Sequence, residues 1–454
     1  MDTEPELLEI LIVIFESIKV WAMKKLLYII VILTGIVVSC RKEPMTVPDV
    51  TDAMARDSLY YIMNQWYYWY NLMPVVNRED YSDPYTLLEA MRYRPTDRWS
   101  FVADYSEFIN EMQGTFVGHG IMISLDNDNK VRIALIYKNS PLYKSGVRRG
   151  WEIKEVNGAD LAAIILSGDA TAYNNAFGAS TAGIQNTFLF GRPENTDTTI
   201  VSAKATFTIN SVILCDTLHL SSGITGHIVL DSFIEPTEQE LITAFTYLKA
   251  NGINNLILDL RYNTGGYLYL AQELASYIAG DGIAGSPFAI LQYNDKNQAY
   301  NSTYNYITTP ASLGLPKVVV ITSRLTASAS EAVMNGLTPF VNVVSVGDTT
   351  NGKPAGMNGW TCAQKYFFWP VTFEIVNSLN EGGYFSGIAP DKIAVDDVTH
   401  DFNDRKEECL KEAISYLETG SFSAKGAGYF RRSLKFSEKP SWMNNVFATD
   451  NKIK

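Results

Sequence analysis

From Gly223 onward, apolar strand-like runs alternate with amphipathic helical runs, and this alternation confines the chain to a layered α/β core. GHIVLDSF reads as a strand and EQELITAFTYLKANG as a helix closed by Gly252. NLILDL is a continuous apolar run, the pattern of a strand covered on both faces. GYLYLAQELASYIAG (helix), KVVVITS (strand), SASEAVMNGL (helix) and NVVSVGD (strand) continue the series. KYFFWPVTFEIVNS reads as a hairpin or one long strand, and RKEECLKEAISYLETG as a final charged helix.

The 454 residues leave room for further domains upstream. Residues 51–113 are helix-patterned, with SLYYIMNQWYYWYNLMP and YTLLEAMRY separated by proline-containing breaks. The aromatic cluster at 66–70 is expected to form that region's core and a docking face. Residues 114–206 change character, since GHGIMISLDNDNKVRIALIY holds two β-rich runs around an Asp/Asn turn. SPLYKSGVRRGWEIKEVNGADL follows, and its Ser140-Pro141, Gly146, Gly150, Ile153, Val156, Asn157 and Gly158 resemble a PDZ domain segment, with Trp151 where aspartate is usual. PDZ domains add an extended peptide to a sheet edge and hold its C-terminal carboxylate on backbone amides. By that resemblance Gly118, His119, Gly120 and Ile121 form the carboxylate loop. The plainer reading is a glycine-bearing turn between strands.

The start of the chain carries an address. Met23-Lys24-Lys25 precedes a short apolar run ending at Ser39-Cys40, the layout of a secretory signal. Val37-Val38-Ser39-Cys40 resembles a bacterial lipobox, which makes residues 23–39 the signal peptide and Cys40 a lipidated first residue. Residues 1–22 carry Asp2, Glu4, Glu6, Glu9 and Glu16, the wrong sign for a signal start. They read as a mis-assigned start or an amphipathic extension. Residues 40–50 read as a linker and 419–454 as a peripheral tail.

Several chemistries are disfavoured. The net charge is −12 with no Lys/Arg block, so the footprint of a nucleic-acid binder is missing. The four histidines form no close pair and the four cysteines no ligand spacing, so neither a metal site nor a cofactor is expected.

Two segments could carry chemistry. Asp259-Leu260-Arg261-Tyr262-Asn263-Thr264-Gly265-Gly266 ends a buried strand, and paired glycines let backbone amides turn toward a cavity. Thr326-Ala327-Ser328-Ala329-Ser330-Glu331 lies between a strand and a helix, at the positive end of a helix dipole. Ser328 with Glu331 is also a capping box, and one helix start can serve both ends. DLRYNTGG, TASASE and Lys353, 25 residues beyond Ser328, together resemble the C-terminal processing (tail-specific) serine proteases. The resemblance covers roughly residues 114–415.

That resemblance implies a crotonase-like ββα protease core over 207–418, preceded by a PDZ-like domain and a helical N-terminal domain. Ser328 would be the nucleophile and Lys353 the general base, neutral only if its pKa falls from ~10.4 to about 7 or 8. Ala329 with Gly265 or Gly266 would supply the oxyanion amides, and Glu331 would orient the helix start. Family members usually carry a glutamine four residues after the lysine. Here that place is Met357, and Gln364 is the next amide along the chain. The implied activity is endopeptidase cleavage of envelope or secreted proteins with free C-termini, by an enzyme held at the bacterial envelope through Cys40. The competing reading is a lipid-anchored binding protein with an inactive protease fold.

Overall fold

The computed structural model describes residues 50–423. The expected signal segment, Cys40, residues 1–22 and the tail from 424 onward lie outside the described residues. Among the described residues no helix is long and apolar enough to cross a membrane.

A six-stranded sheet organises the core in the order Val212–Leu220, Gly223–Leu230, Asn255–Asp259, Lys317–Thr322, Asn342–Gly347, Lys392–Ile393. The first two strands form an antiparallel hairpin, and every later pairing is parallel. Both faces are covered, as the unbroken apolar run of NLILDL anticipates. Leu256 and Leu258 pack with the helices Glu235–Ala250, Leu268–Ala279 and Ala329–Leu337. Ile257, on the opposite pleat face, packs with Leu410 and Ala413 of the helix Glu408–Thr419. The chain thus has the layered α/β core expected from its sequence.

Residues 121–203 form a second sheet in the order Ile121–Leu125, Val131–Ile136, Glu152–Val156, Gln185–Gly191, Asp197–Ala203, with its own apolar core. A ribbon pairing Thr115–Gly118 with Ala205–Thr208 leads into and out of it. The two sheets are joined by buried charge. Arg149 donates to Asp396 Oδ1 at 2.8 Å, and Arg261 donates to the same oxygen at 2.8 Å. Arg261 also meets Glu407 at 2.8 Å and Asp259 at 3.0 Å. Three carboxylates surround Arg261 because an isolated guanidinium would be costly in this dry interior.

KYFFWPVTFEIVNS is neither a hairpin nor one strand. Pro370 has no N–H to donate and breaks it into two strands that join different sheets. Tyr366–Trp369 pairs with Trp360–Cys362 and with Phe101–Asp104 of the helical region. Val371–Val376 pairs with Ala355–Met357 and with Pro287–Tyr293. The helices Asp52–Trp66 and Pro84–Met91 are therefore built onto the core. Leu59, Met63, Tyr67 and Trp99 share one apolar cluster with Ala355, Phe368 and Val371.

Candidate active site

The strands Asn255–Asp259 and Lys317–Thr322 are parallel neighbours, so the turns that follow them emerge at the same end of the sheet. DLRYNTGG and TASASE are those turns, and polar contacts lace them together. Thr326 Oγ1 donates to the Leu260 carbonyl at 2.8 Å. The Asn263 carbonyl accepts from Ala327 N–H at 3.1 Å and from Ser330 Oγ at 3.0 Å. Asn351 N–H donates to the Thr326 carbonyl at 2.9 Å, which brings in the segment carrying Lys353.

Ser328 is half-buried at the start of the Ala329–Leu337 helix with φ 56° and ψ −114°. A non-glycine residue in that region costs ~1–3 kcal/mol, and such strain gathers at functional sites. Gly265 allows the arrangement. A Cβ on it would lie 2.8 Å from Ser328 Cβ and 3.2 Å from the Ala329 nitrogen.

Glu331 has no exposed surface and is the hub of the site. Its Oε2 accepts from Ser328 N–H at 2.9 Å and from Lys353 N–H at 2.8 Å. Its Oε1 accepts from Gly352 N–H at 2.7 Å and from the Thr350 hydroxyl. Burial pushes the carboxyl above its usual range, against the four hydrogen bonds that favour the charged form. The Ser328–Glu331 pairing that looks like a helix cap in sequence thus also clamps the Lys353 segment.

Lys353 is 3% exposed, and burial lowers its ammonium to about 8, opposed by the nearby Asp97 and Glu331 carboxylates. Among the described residues no hydrogen bond engages its Nζ. Met357 packs on the apolar cluster of the helical region, and Gln364 is exposed at a hairpin turn with φ 54°. Neither supplies an amide to the lysine.

The two candidate oxyanion glycines differ. Gly265 N–H is taken by Asn263 Oδ1 at 2.9 Å. Gly266 bridges Phe233 in parallel fashion, through Phe233 N–H to the Gly265 carbonyl and Tyr267 N–H to the Phe233 carbonyl. That pattern turns the Gly266 N–H away from Phe233.

Gly118, His119, Gly120 and Ile121 all lie buried where the second sheet begins. The His119 ring is interior, with Nδ1 3.0 Å from Ser202 Oγ and Nε2 2.7 Å from Asn186 Oδ1. Burial lowers its pKa to about 4. Ile121–Leu125 is the strand at one end of the sheet order.

Sequence reasoning missed several residues here. Thr350 and Asn351 directly precede Gly352-Lys353, and that adjacency was the available signal. Asp97, Arg98 and Trp99 gave none, because they come from the far side of the chain. Arg98 Nη2 donates to the Asn351 carbonyl at 2.7 Å, and Trp99 Nε1 donates to Asn351 Oδ1 at 3.1 Å.

The ends of adjacent parallel strands thus bring together a strained helix-start serine, paired glycines and the segment of a buried lysine. Residues 224–392 match the model of Peptidase family S41, and residues 55–101 match that of the Peptidase S41 N-terminal domain. It is similar to the carboxy-terminal processing protease CtpB of Bacillus subtilis, with 26% identity over 54% of this chain and 48% of that protein. It is also similar to the carboxyl-terminal-processing protease of a Picosynechococcus species, with 26% identity over 60% of each chain. The chain therefore spans about half to three-fifths of the length of these curated relatives. Among solved structures, the "Putative S41 protease" of Bacteroides fragilis superposes with a TM-score of 0.66 and 21% identity. That match covers 84% of this chain and all of the other, and it shows a shared fold.

Proposed function

We propose that the chain is a serine endopeptidase of the C-terminal processing type, with Ser328 as nucleophile and Lys353 as general base. The observation that carries this reading is the Glu331 carboxylate, one oxygen of which holds the backbones of both residues. A serine hydroxyl needs a neighbouring base, and a lysine can be that base only when neutral. Burial supplies the neutral fraction by lowering Lys353 to about 8.

Lys353 takes the Ser328 proton as Oγ attacks the scissile carbonyl, and the developing oxyanion meets the amides of Ala329 and Gly266. Lys353 then protonates the leaving amine. Lys353, neutral again, then takes a proton from a water that hydrolyses the acyl-enzyme. Glu331 holds the backbone throughout and transfers no proton. The end strand Ile121–Leu125 and the turn before it support recruitment of an extended substrate tail by strand addition. Cys40 would place the enzyme at the bacterial envelope.

The test incubates the full chain with unstructured proteins bearing apolar or charged C-terminal tails, beside Ser328→Ala and Lys353→Ala variants. Cleavage lost in both supports the dyad, and cleavage surviving Lys353→Ala removes the assigned base. No cleavage by the parent across a broad set favours a binding protein with an inactive fold.

A further inference from the structure

Among the described residues no side-chain amide hydrogen-bonds the Lys353 amine, and the turn Asp97–Arg98–Trp99 of the helical N-terminal region stands against its loop. Arg98 and Trp99 both grip Asn351, two residues before Lys353, by its carbonyl and by its side-chain oxygen. Arg98 also reaches the Phe385 carbonyl at 3.3 Å, on the loop against which Gly352 packs without room for a Cβ. Asp97 is fully buried, and its own geometry is fixed. Oδ1 accepts from Trp99 N–H and Ser100 N–H at 3.0 Å each, and Oδ2 accepts from the Tyr67 hydroxyl at 2.8 Å.

We propose that Asp97, Arg98 and Trp99 are positioning residues of the active site: Arg98 and Trp99 hold the Lys353 loop in register with Ser328, the buried Asp97 fixes the turn that carries them, and together they do what the missing amide would do. The proposal rests on Lys353 being the base. It gives the helical region a role in the chemistry, since the site is incomplete without the 97–99 turn. Packing explains Met357 on the same terms. The strand Ala355–Met357 lies in the apolar cluster shared with Leu59, Met63 and Tyr67, where an unpaired amide would be costly.

The charges facing Lys353 come from several elements. Asp97 and Glu331 favour its ammonium, and burial opposes them. The Arg98 guanidinium sits on the same loop. The Tyr384 hydroxyl is buried close to Glu331 and has no partner among the described residues. Of these, Asp97 is the carboxylate contributed by the helical region.

The experiment follows Lys353 itself by NMR titration of the full chain labelled with 13C at lysine Cε, the signal being assigned with Lys353→Arg. Asp97→Asn removes a negative charge at constant shape and is expected to lower the titration midpoint by about half a pH unit or more. Trp99→Phe releases Asn351, admits water to the loop and is expected to raise the midpoint. These opposite signs separate positioning from loosening, because general loosening raises both. Tyr68→Phe removes a different contact of the same interface, the 3.0 Å bond to Glu374, and is expected to leave the midpoint unmoved. Midpoints unchanged in Asp97→Asn and Trp99→Phe, or moved equally by Tyr68→Phe, overturn the proposal. A fluorophosphonate probe read alongside reports the dyad separately. Labelling of the parent at Ser328 without NMR shifts sinks the positioning role alone. Shifts without labelling sink the dyad and leave the structural coupling standing.

Discussion

The backbone N–H of Lys353 donates to Glu331 Oε2 at 2.8 Å, and the same oxygen accepts from Ser328 N–H at 2.9 Å. A single buried carboxylate therefore fixes the separation of two segments that lie 25 residues apart in sequence. It is the element on which the site's geometry depends most directly.

Replacing Glu331 by alanine leaves three backbone N–H groups and the Thr350 hydroxyl without their acceptor in a dry interior. Each orphaned group costs ~1–3 kcal/mol, so the variant is expected to melt well below the parent and lose activity. Glu331→Gln keeps one acceptor oxygen and should fall between the two. Thermal melting beside cleavage assays checks the order.

At Ser328 the expected effects on stability and activity part company. Ser328→Ala should lose about three orders of magnitude or more in cleavage while keeping its melting temperature. Ser328→Gly should be as inactive, yet more stable than the alanine variant by ~1 kcal/mol, because glycine adopts φ 56° without strain. Equal melting of the two variants would show the backbone there to be relaxed.

Lys353 sets the pH dependence. With its ammonium at about 8, about a tenth of the amine is neutral at pH 7, so acylation should rise with pH and level off above about 9. Stability follows the same group. Its folded pKa lies below the unfolded value, so the unfolded chain holds more protons between about 8 and 10.5, and the native state gains stability as pH rises through that window. Below pH 8 the buried ammonium costs roughly 3 kcal/mol. Lys353→Met should therefore melt above the parent at pH 6, with the gap closing at high pH. Denaturant titrations at several pH values measure it.

Gly265→Ala sets a Cβ 2.8 Å from that of Ser328 on a backbone with φ 106°, so both strain and collision follow. The expected result is loss of fluorophosphonate labelling together with a lower melting temperature. A labelled, stable Gly265→Ala protein would refute the close approach of the two turns.

Arg149 joins the second sheet to the core through Asp396 and the Tyr262 hydroxyl. Arg149→Met strips a buried partner from Asp396, whose carboxyl is held down to about 2 by Arg149 and Arg261. Asp396 keeps Arg261 and the Tyr262 hydroxyl, so the loss is that of one charge-assisted hydrogen bond, about 1.5–3 kcal/mol. Calorimetry should show that loss, largest at neutral pH where Asp396 is charged.

Much of the core was readable in advance because its signals are local. The apolar run Leu256–Leu258 marks a strand covered on both faces, and the serine and glycine turns follow directly from strand ends. Ser328 and Glu331 sit one helical turn apart, so their pairing was visible as a cap. Its second use, holding Lys353, was not. The break at Pro370 could be read as a kink, whereas the two different sheets on either side of it could not. The strands Pro287–Tyr293 and Ser302–Asn305 were missed because nothing local distinguishes their pairing partners.

The sequence by itself determined the alternating α/β core, the two turns at adjacent strand ends and the residue types able to form a serine–lysine pair. Tertiary structure alone decided that Gly265 gives its amide to Asn263, that His119 is interior, and that Gln364 faces solvent rather than the lysine. It also decided that Arg98 and Trp99 reach the Lys353 loop from more than 250 residues away. Periodicity and spacing report what a residue does within its own strand or helix. Desolvation of a lysine and orientation of an amide depend on groups from distant segments, and only the folded chain brings those together.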